Sequence, residues 1–274
     1  MFQNAFGDGI WQKGLFNFIA ARSYDYATSE QLYESIQSAV DELKPSSAFD
    51  VPLAMKTWEN QPGFPYVTVK RIGNSLQFVQ DRFMYELRDS SNLWWLPLNY
   101  VVGSNPDFEE TKPDLWIYSR STTVPANSAP KKFTSTDWII VNIQQTGFYR
   151  VNYDISLWKM IIKQLKENFS IIHASNRAQL IDDSFHLARA NLISFDTFFE
   201  IVVFMENETS YVPWESFYRA YSMLCRWLQG TNVFPKFQAF VQKKVENIFS
   251  KLGVEVVKNE SMADRYIFFC ILFL

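Results

Sequence analysis

Apolar positions recur along this chain with two different periods, and the places where the period changes outline its architecture. Phe2, Phe6, Ile10, Leu15, Phe18 and Ile19 approximate a helical stripe interrupted by Gly7 and Gly9. A second helix is expected to start with Thr28 or Ser29 as N-cap and Glu30 and Gln31 in its first turn. It places Leu32, Ile36, Ala39, Val40 and Leu43 at helical spacings before Pro45, Ser46 and Ser47 end it. Asp50 is positioned to cap a short helix through Met55 to Trp58, which the Pro62-Gly63 turn stops.

From Tyr66 the period becomes two. Val67 and Val69 alternate with Thr68 and Lys70, and Gly73-Asn74 separates them from Leu76 and Phe78, which predicts a hairpin. Trp94, Leu96, Leu98 and Tyr100 line one face of a third strand, and Pro97 places that strand at a sheet edge. Leu115 to Tyr118 is a fourth, and Thr122 to Pro130, rich in small residues and proline, is expected to be a linker. Trp138 to Val141 is a continuous apolar run fitting a strand buried on both faces. Gln144 to Gly147 supplies a turn, and Phe148, Tyr149 and Val151 form the return strand of a second hairpin. Several short strands without intervening helices predict a small antiparallel β-sandwich.

After Asp154 the helical period takes over. Arg177 to Ala190 gives an amphipathic helix, and further helices are expected at Phe195 to Phe204, Trp214 to Leu228, Phe234 to Leu252, and Met262 to the end. The pattern allows a helical-repeat arrangement here without demonstrating one.

Composition narrows the chemistry. A net charge of -3 from 26 basic and 29 acidic residues gives no electrostatic footprint for nucleic acid. Aromatic residues make up 17% of the chain, so it has either rich cores or apolar surface for a partner. Cys225 and Cys270 are expected to be buried thiols without a disulfide framework. The opening shows no basic region followed by an apolar core, and the apolar run from Tyr266 to Leu274 is too short to cross a bilayer. Asn168, Asn207 and Asn259 each open an N-x-S/T sequence and are candidate glycosylation acceptors, meaningful only in a secreted chain.

Five stretches carry a family resemblance: MKTWENQPGFPYVTVKR from Met55, QDRF from Gln80, WIIVNIQQTGFYRVNYD from Trp138, NRAQLIDDSFHLARA from Asn176, and YVPW from Tyr211. In order and spacing they resemble the zinc aminopeptidases of the aminopeptidase N family, the gluzincin group that includes membrane alanyl aminopeptidases. Gln31-Leu32-Tyr33 departs mildly from the family's Asp-Leu-Trp, and the chain follows the pattern only loosely beyond Arg265. The resemblance implies a multi-domain α+β chain. Residues 1–50 would be terminal helices of a thermolysin-like domain, 51–154 the β-sandwich, and 155–274 the start of a truncated, helical-repeat-like all-α domain. It implies removal of N-terminal residues from peptides by the whole protein, with zinc as cofactor and a plasma-membrane or extracellular setting.

The catalytic chemistry itself is not legible here. A zinc peptidase of this type needs H-E-x-x-H on one helix and a further ligand, whereas the chain has only His173 and His186, neither followed by Glu. No catalytic, cofactor-binding or metal residue is therefore assigned, and the chain alone is expected to be inactive. Met205-Glu206-Asn207 matches the end of the family's G-x-M-E-N amine-binding motif but lacks its Gly, and is expected to be coincidental. Asp182 and His186 lie four apart on one helix face, beside Asp183, and are expected to make a structural hydrogen bond, not a metal site. Arg150, next to Tyr149, is expected to tie the second hairpin to the following helix. Expected partners are peptides in the whole protein, the missing catalytic domain or a full-length relative. An alternative is a non-catalytic binding or decoy protein. Exposed apolar faces are expected on Phe2, Phe6 and Ile10 and around Tyr266 to Leu274.

Overall fold

Thr28, Asp50 and Asp154 each open a helix in this computed structural model, which describes residues 1–45, 49–86, 91–253 and 262–272. Thr28 and Gln31 form a reciprocal capping box at the start of α3 (Ser29–Leu43). Asp50 accepts from the Leu53 amide to cap α4 (Val51–Glu59). The stripe that precedes them is two helices, α1 (Phe2–Phe6) and α2 (Asp8–Ala21), because Gly7 sits at φ +92°, where the helix cannot continue. Gly14 lets α2 approach α3: a Cβ there would lie 2.9 Å from the Ile36 Cα. The Ser46-Ser47 stop to α3 lies outside the described residues.

The expected first hairpin is present as β1 (Pro65–Ile72) and β2 (Ser75–Arg82), with Ile72 opposite Ser75 across the turn. The third strand is broken. β3 (Leu96–Leu98) pairs with β5 (Leu115–Ile117), while β4 (Tyr100–Val102) pairs elsewhere, because Asn99 spends its side chain on Thr111, Thr146 and Ile143. Pro97 lies in the two-stranded β3–β5 ladder, where both strands are edges. Part of the expected linker is a strand, β6 (Ser121–Pro125), which adds to the free side of β2.

The stretch from Trp138 to Asp154 is not a hairpin. β7 (Ile139–Val141) pairs antiparallel with β4, and β8 (Arg150–Tyr153) pairs parallel with β1, so the four-stranded sheet β6-β2-β1-β8 is mixed and not antiparallel. The reason lies in the loop between them. Asn142, Gln144 and Gln145 adopt φ of 68°, 52° and 55°, and the Asn142 side chain bonds Gly147 and the Tyr149 carbonyl. That geometry turns the chain from one sheet into the other. Residues 139–141 are buried on both faces, as their sequence requires.

Beyond β8 the chain is helical: α5 (Ile155–Asn168), α6 (Ala174–Arg189), α7 (Phe195–Ile201), α8 (Tyr211–Leu228), α9 (Phe234–Leu252) and α10 (Met262–Leu272). The helix expected to run to Phe204 stops at Ile201 and tightens into a 3-10 segment, Val202–Asn207. The whole is a mixed α/β chain, a small sheet followed by a helical region. One apolar cluster joins the strands to α5–α10, and a second joins α1–α4 around Ile36, Tyr33 and Val51.

The exposed apolar surface is not where it was expected at the start of the chain. Phe6 and Ile10 are buried and Phe2 is partly buried, since α1 packs on Trp58 and Trp116. Phe16 and Ile19, on the outer side of α2, are 68% and 64% exposed, and Tyr24 and Tyr26 extend that surface. Near the other end, Met262 and Tyr266 are exposed while Ile267 and Cys270 are buried. The last residues of the Tyr266 to Leu274 run lie outside the described residues. No described helix is long and apolar enough to cross a membrane.

Candidate functional site

The strained loop and β8 are gripped along one face of α6. Asn176 accepts from the Gln144 amide at 2.8 Å and donates to the Asn142 carbonyl, and Gln179 donates to Val141. One further turn on, Asp183 accepts from the Val151 amide and from Arg150, each at 2.9 Å, and Asp182 accepts from Arg150 at 2.6 Å. Positions 176, 179 and 183 share a helix face, so a single helix reads four successive parts of the chain. Arg150 therefore does tie strand to helix, but to α6 and not to the following helix, α5. The contacts with α5 belong to Asp154, its N-cap, and to Asn152, which accepts from Trp158.

Around the guanidinium the environment is aromatic and largely dry. Arg150 lies over the rings of Phe83 and Phe64 at 5.1 and 6.0 Å, and its Nε is buried without a hydrogen bond. His186 extends the cluster, with Nε2 at 3.4 Å from Asp182 and Nδ1 at 2.8 Å from the Tyr85 hydroxyl. A recess of about 280 Å³ opens beside it, lined by Phe64, Phe148, Tyr149, Arg150, Asp182 and Asp183 among others. Burial pushes Asp183 up to about 7 against the pull of Arg150, and the neighbouring Asp182 charge adds to that rise. For Asp182 burial also works upward, yet the hydrogen bond from His186 and the charge of Arg150 outweigh it and hold the group down at about 2.

This cluster does not fit a zinc ion. Arg150 occupies the oxygens of both aspartates that face it, and His186 is already held by Asp182 and Tyr85. The other histidine, His173, caps α6 by accepting from the Ser175 amide. Among the described residues no group of three His, Cys, Asp or Glu side chains is placed to hold a metal. Glu206 is committed too: it bonds Lys244 at 2.5 Å, so the carboxylate of Met205-Glu206-Asn207 holds a lysine of this chain. Cys270 is buried, its thiol 3.6 Å from Glu215, while Cys225 is only partly buried, short of the expected core position. Asn168 and Asn207 are exposed, and Asn259 lies outside the described residues.

Two pairings had no signal in the sequence. Tyr85 meets His186 across 101 positions, and Arg177 forms a buried two-pronged pair with Glu208 at 2.6 and 2.9 Å. An Arg in the first turn of a helix and a lone Glu shortly before another helix carry no local sign that they will meet. Only the loss of water from both distinguishes this pair.

The last strand of the small mixed sheet is thus clamped by α6, the second of a run of helices, through Asp182 and Asp183. Residues 138–268 match the protein-family model of the ERAP1-like C-terminal domain. The chain is 34% identical over 268 residues to an aminopeptidase N of Plutella xylostella, covering 95% of this chain and 28% of that protein. It is 31% identical over 266 residues to the thyrotropin-releasing hormone-degrading ectoenzyme of Rattus norvegicus, covering 92% and 24%. Against a membrane alanyl aminopeptidase of Heliothis virescens it is 32% identical over 276 residues, covering 97% and 27%. The chain belongs to the aminopeptidase N family and carries a C-terminal part of such a protein. It spans about a quarter of the length of the curated relatives it matches.

Proposed function

We propose that these residues form the non-catalytic scaffold of a zinc aminopeptidase, a hydrolase that as a whole protein removes N-terminal residues from peptides, and that by themselves they hydrolyse nothing. Residues 1–50 then belong to the end of a thermolysin-like catalytic domain, 51–154 to a β-sandwich spacer, and 155–274 to a helical domain. The separate packing of α1–α3 around Ile36 and Tyr33 supports the first division, although α4 sides with that cluster. The zinc would be held elsewhere in the whole protein. The names of the relatives, an ectoenzyme and a membrane aminopeptidase, support a plasma-membrane or extracellular setting.

The observation that carries this reading is the contrast between similarity over nearly the whole chain and the commitment of both histidines to structural contacts. The test is release of chromophore from an alanyl chromogenic substrate by the purified chain with added zinc. No turnover above buffer is expected. Turnover abolished by a chelator would overturn the proposal.

A second reading, a non-catalytic binding or decoy protein that contacts full-length relatives or peptides, is favoured by the exposed Phe16, Ile19, Tyr24 and Tyr26 beside α2. A pull-down with a full-length relative separates the two, since the decoy reading requires retention at micromolar concentration.

A further inference from the structure

The clamp between β8 and α6 does not account for the recess that opens beside Arg150. At about 280 Å³ it has room for one side chain and falls below the usual size of a small-molecule site. Two of its walls are the rings of Phe64 and Phe148, with centroids 5.4 Å apart and planes tilted by 51°. Gly147 admits the Tyr149 ring beneath the loop, since a Cβ there would lie 2.2 Å from that ring, and Phe148 is left outside, exposed. Gln145 is exposed on the same loop, and its side chain makes no hydrogen bond among the described residues. The loop thus presents an apolar wedge with a polar edge.

Charge in the lining is unbalanced. Among the described residues that line the recess, Arg150 is the one cation, against the carboxylates of Asp182 and Asp183. A single nitrogen, Nη1, serves both, at 2.6 and 2.9 Å. Asp183 is buried, with its second oxygen on the Val151 amide. Asp182 differs: its side chain is 32% exposed, one oxygen holds Arg150, and the other meets only His186 Nε2 at 3.4 Å, so lone pairs remain for a further donor. Arg219, whose charge also reaches Asp182, is already paired with Glu215 at 2.8 Å. An anion entering the recess would meet the exposed carboxylate, while Arg150 is 15% exposed and turned to the aspartates. The rise of Asp183 to about 7 has the same origin, since burial of two carboxylates outweighs one guanidinium.

We propose that this recess binds the side chain of an arginine carried by a peptide, with the guanidinium donating to the exposed oxygen of Asp182 and lying against the rings of Phe64 and Phe148. Arginine suits the site better than lysine. Its flat head stacks on a ring while donating at its edge, whereas an ammonium holds its water more strongly and offers no plane to the wedge. The binding needs no zinc and no hydrolysis, so it goes beyond the scaffold reading and does not depend on it.

The test titrates the heavy-nitrogen-labelled chain, followed by its amide resonances, with a capped glycine peptide carrying a central arginine and with its lysine, citrulline and glutamate counterparts. Saturable shifts at Gly147 and Phe148 are expected with the arginine peptide, at a dissociation constant on the order of 1 mM, the scale open to a single side chain. The lysine peptide should bind about threefold more weakly, and the citrulline peptide, of the same shape without the charge, about tenfold more weakly. Phe148→Ala, at an exposed position, should weaken arginine binding about threefold, and Asp182→Asn should bring the arginine and citrulline peptides level. Equal binding of those two peptides to the native chain, tighter binding of the glutamate peptide, or no saturable shift at about 10 mM would overturn the proposal. Because Asp182→Asn also loosens Arg150 and can unfold the chain, the citrulline comparison and the Phe148 variant decide the matter without it. The titration involves no turnover, so its failure leaves the scaffold reading standing and is distinguishable from the failure of that reading.

Discussion

Asp183 of α6 accepts two hydrogen bonds from β8, one from the Arg150 guanidinium and one from the Val151 amide, each at 2.9 Å. A single buried carboxylate thus fastens both the backbone and the side chain of the strand that closes the sheet. Removing Arg150 leaves Asp182 and Asp183 facing each other without a cation. Arg150→Met is expected to lower the unfolding free energy by about 3–5 kcal/mol, the range for breaking a buried pair on one side. Urea denaturation followed by tryptophan fluorescence measures it.

The same residue sets a pH dependence. Asp183 is raised to about 7 in the folded chain, above the ordinary carboxylate range, so the folded state binds that proton more tightly than the unfolded state does. Its contribution to stability is full below the unfolded value, about 4, and is lost as pH rises through about 7. Asp182 runs the other way: held at about 2, it contributes above its unfolded value and loses that contribution only in strong acid. The melting temperature is therefore expected to fall between about pH 4 and about pH 7, the window these values span. Asp183→Asn should flatten that slope, and an unchanged slope in the variant would remove Asp183 as its source.

Arg177 and Glu208 make the second buried pair, and Glu208 also accepts from the Thr209 and Ser210 amides. Arg177→Lys keeps the charge and loses the fork. Because a lysine cannot meet both oxygens of Glu208, the substitution is expected to cost about 2–4 kcal/mol in urea denaturation, close to the cost of Arg177→Met. A lysine variant as stable as the native chain would show that charge alone suffices.

Gly14 tests the close approach of α2 and α3. A Cβ there would lie 2.9 Å from the Ile36 backbone, which cannot swing away as a side-chain end could. Gly14→Ala should therefore destabilise by about 1–3 kcal/mol despite the better helix propensity of alanine. Circular dichroism melts detect the difference.

Local signals were legible in the sequence because the groups that satisfy them are a few residues away. Thr28 with Gln31 and Asp50 with Leu53 each fix a helix start within one turn. The strand pairing around Trp138 to Asp154 was not legible. A short apolar run, a Gly-containing turn and a second run describe a hairpin equally well until β4 and β1 compete for the two strands. What decides the outcome is the left-handed backbone at Asn142, Gln144 and Gln145, and that backbone is held by Asn99 and Asn176 from distant elements. At the Arg150 cluster, the spacing of Asp182 and His186 was readable, whereas Tyr85, 101 positions away from His186, was not.

The proposed scaffold role leaves neither histidine for zinc: His173 caps α6, His186 is held by Asp182 and Tyr85, and Asp182 and Asp183 fasten β8 to α6. Equilibrium dialysis of the purified chain against zinc, with metal content read by atomic emission, tests that role. No stoichiometric zinc is expected at micromolar free metal, with the same result for His173→Ala and His186→Ala. One zinc per chain, lost on substituting either histidine, would contradict it.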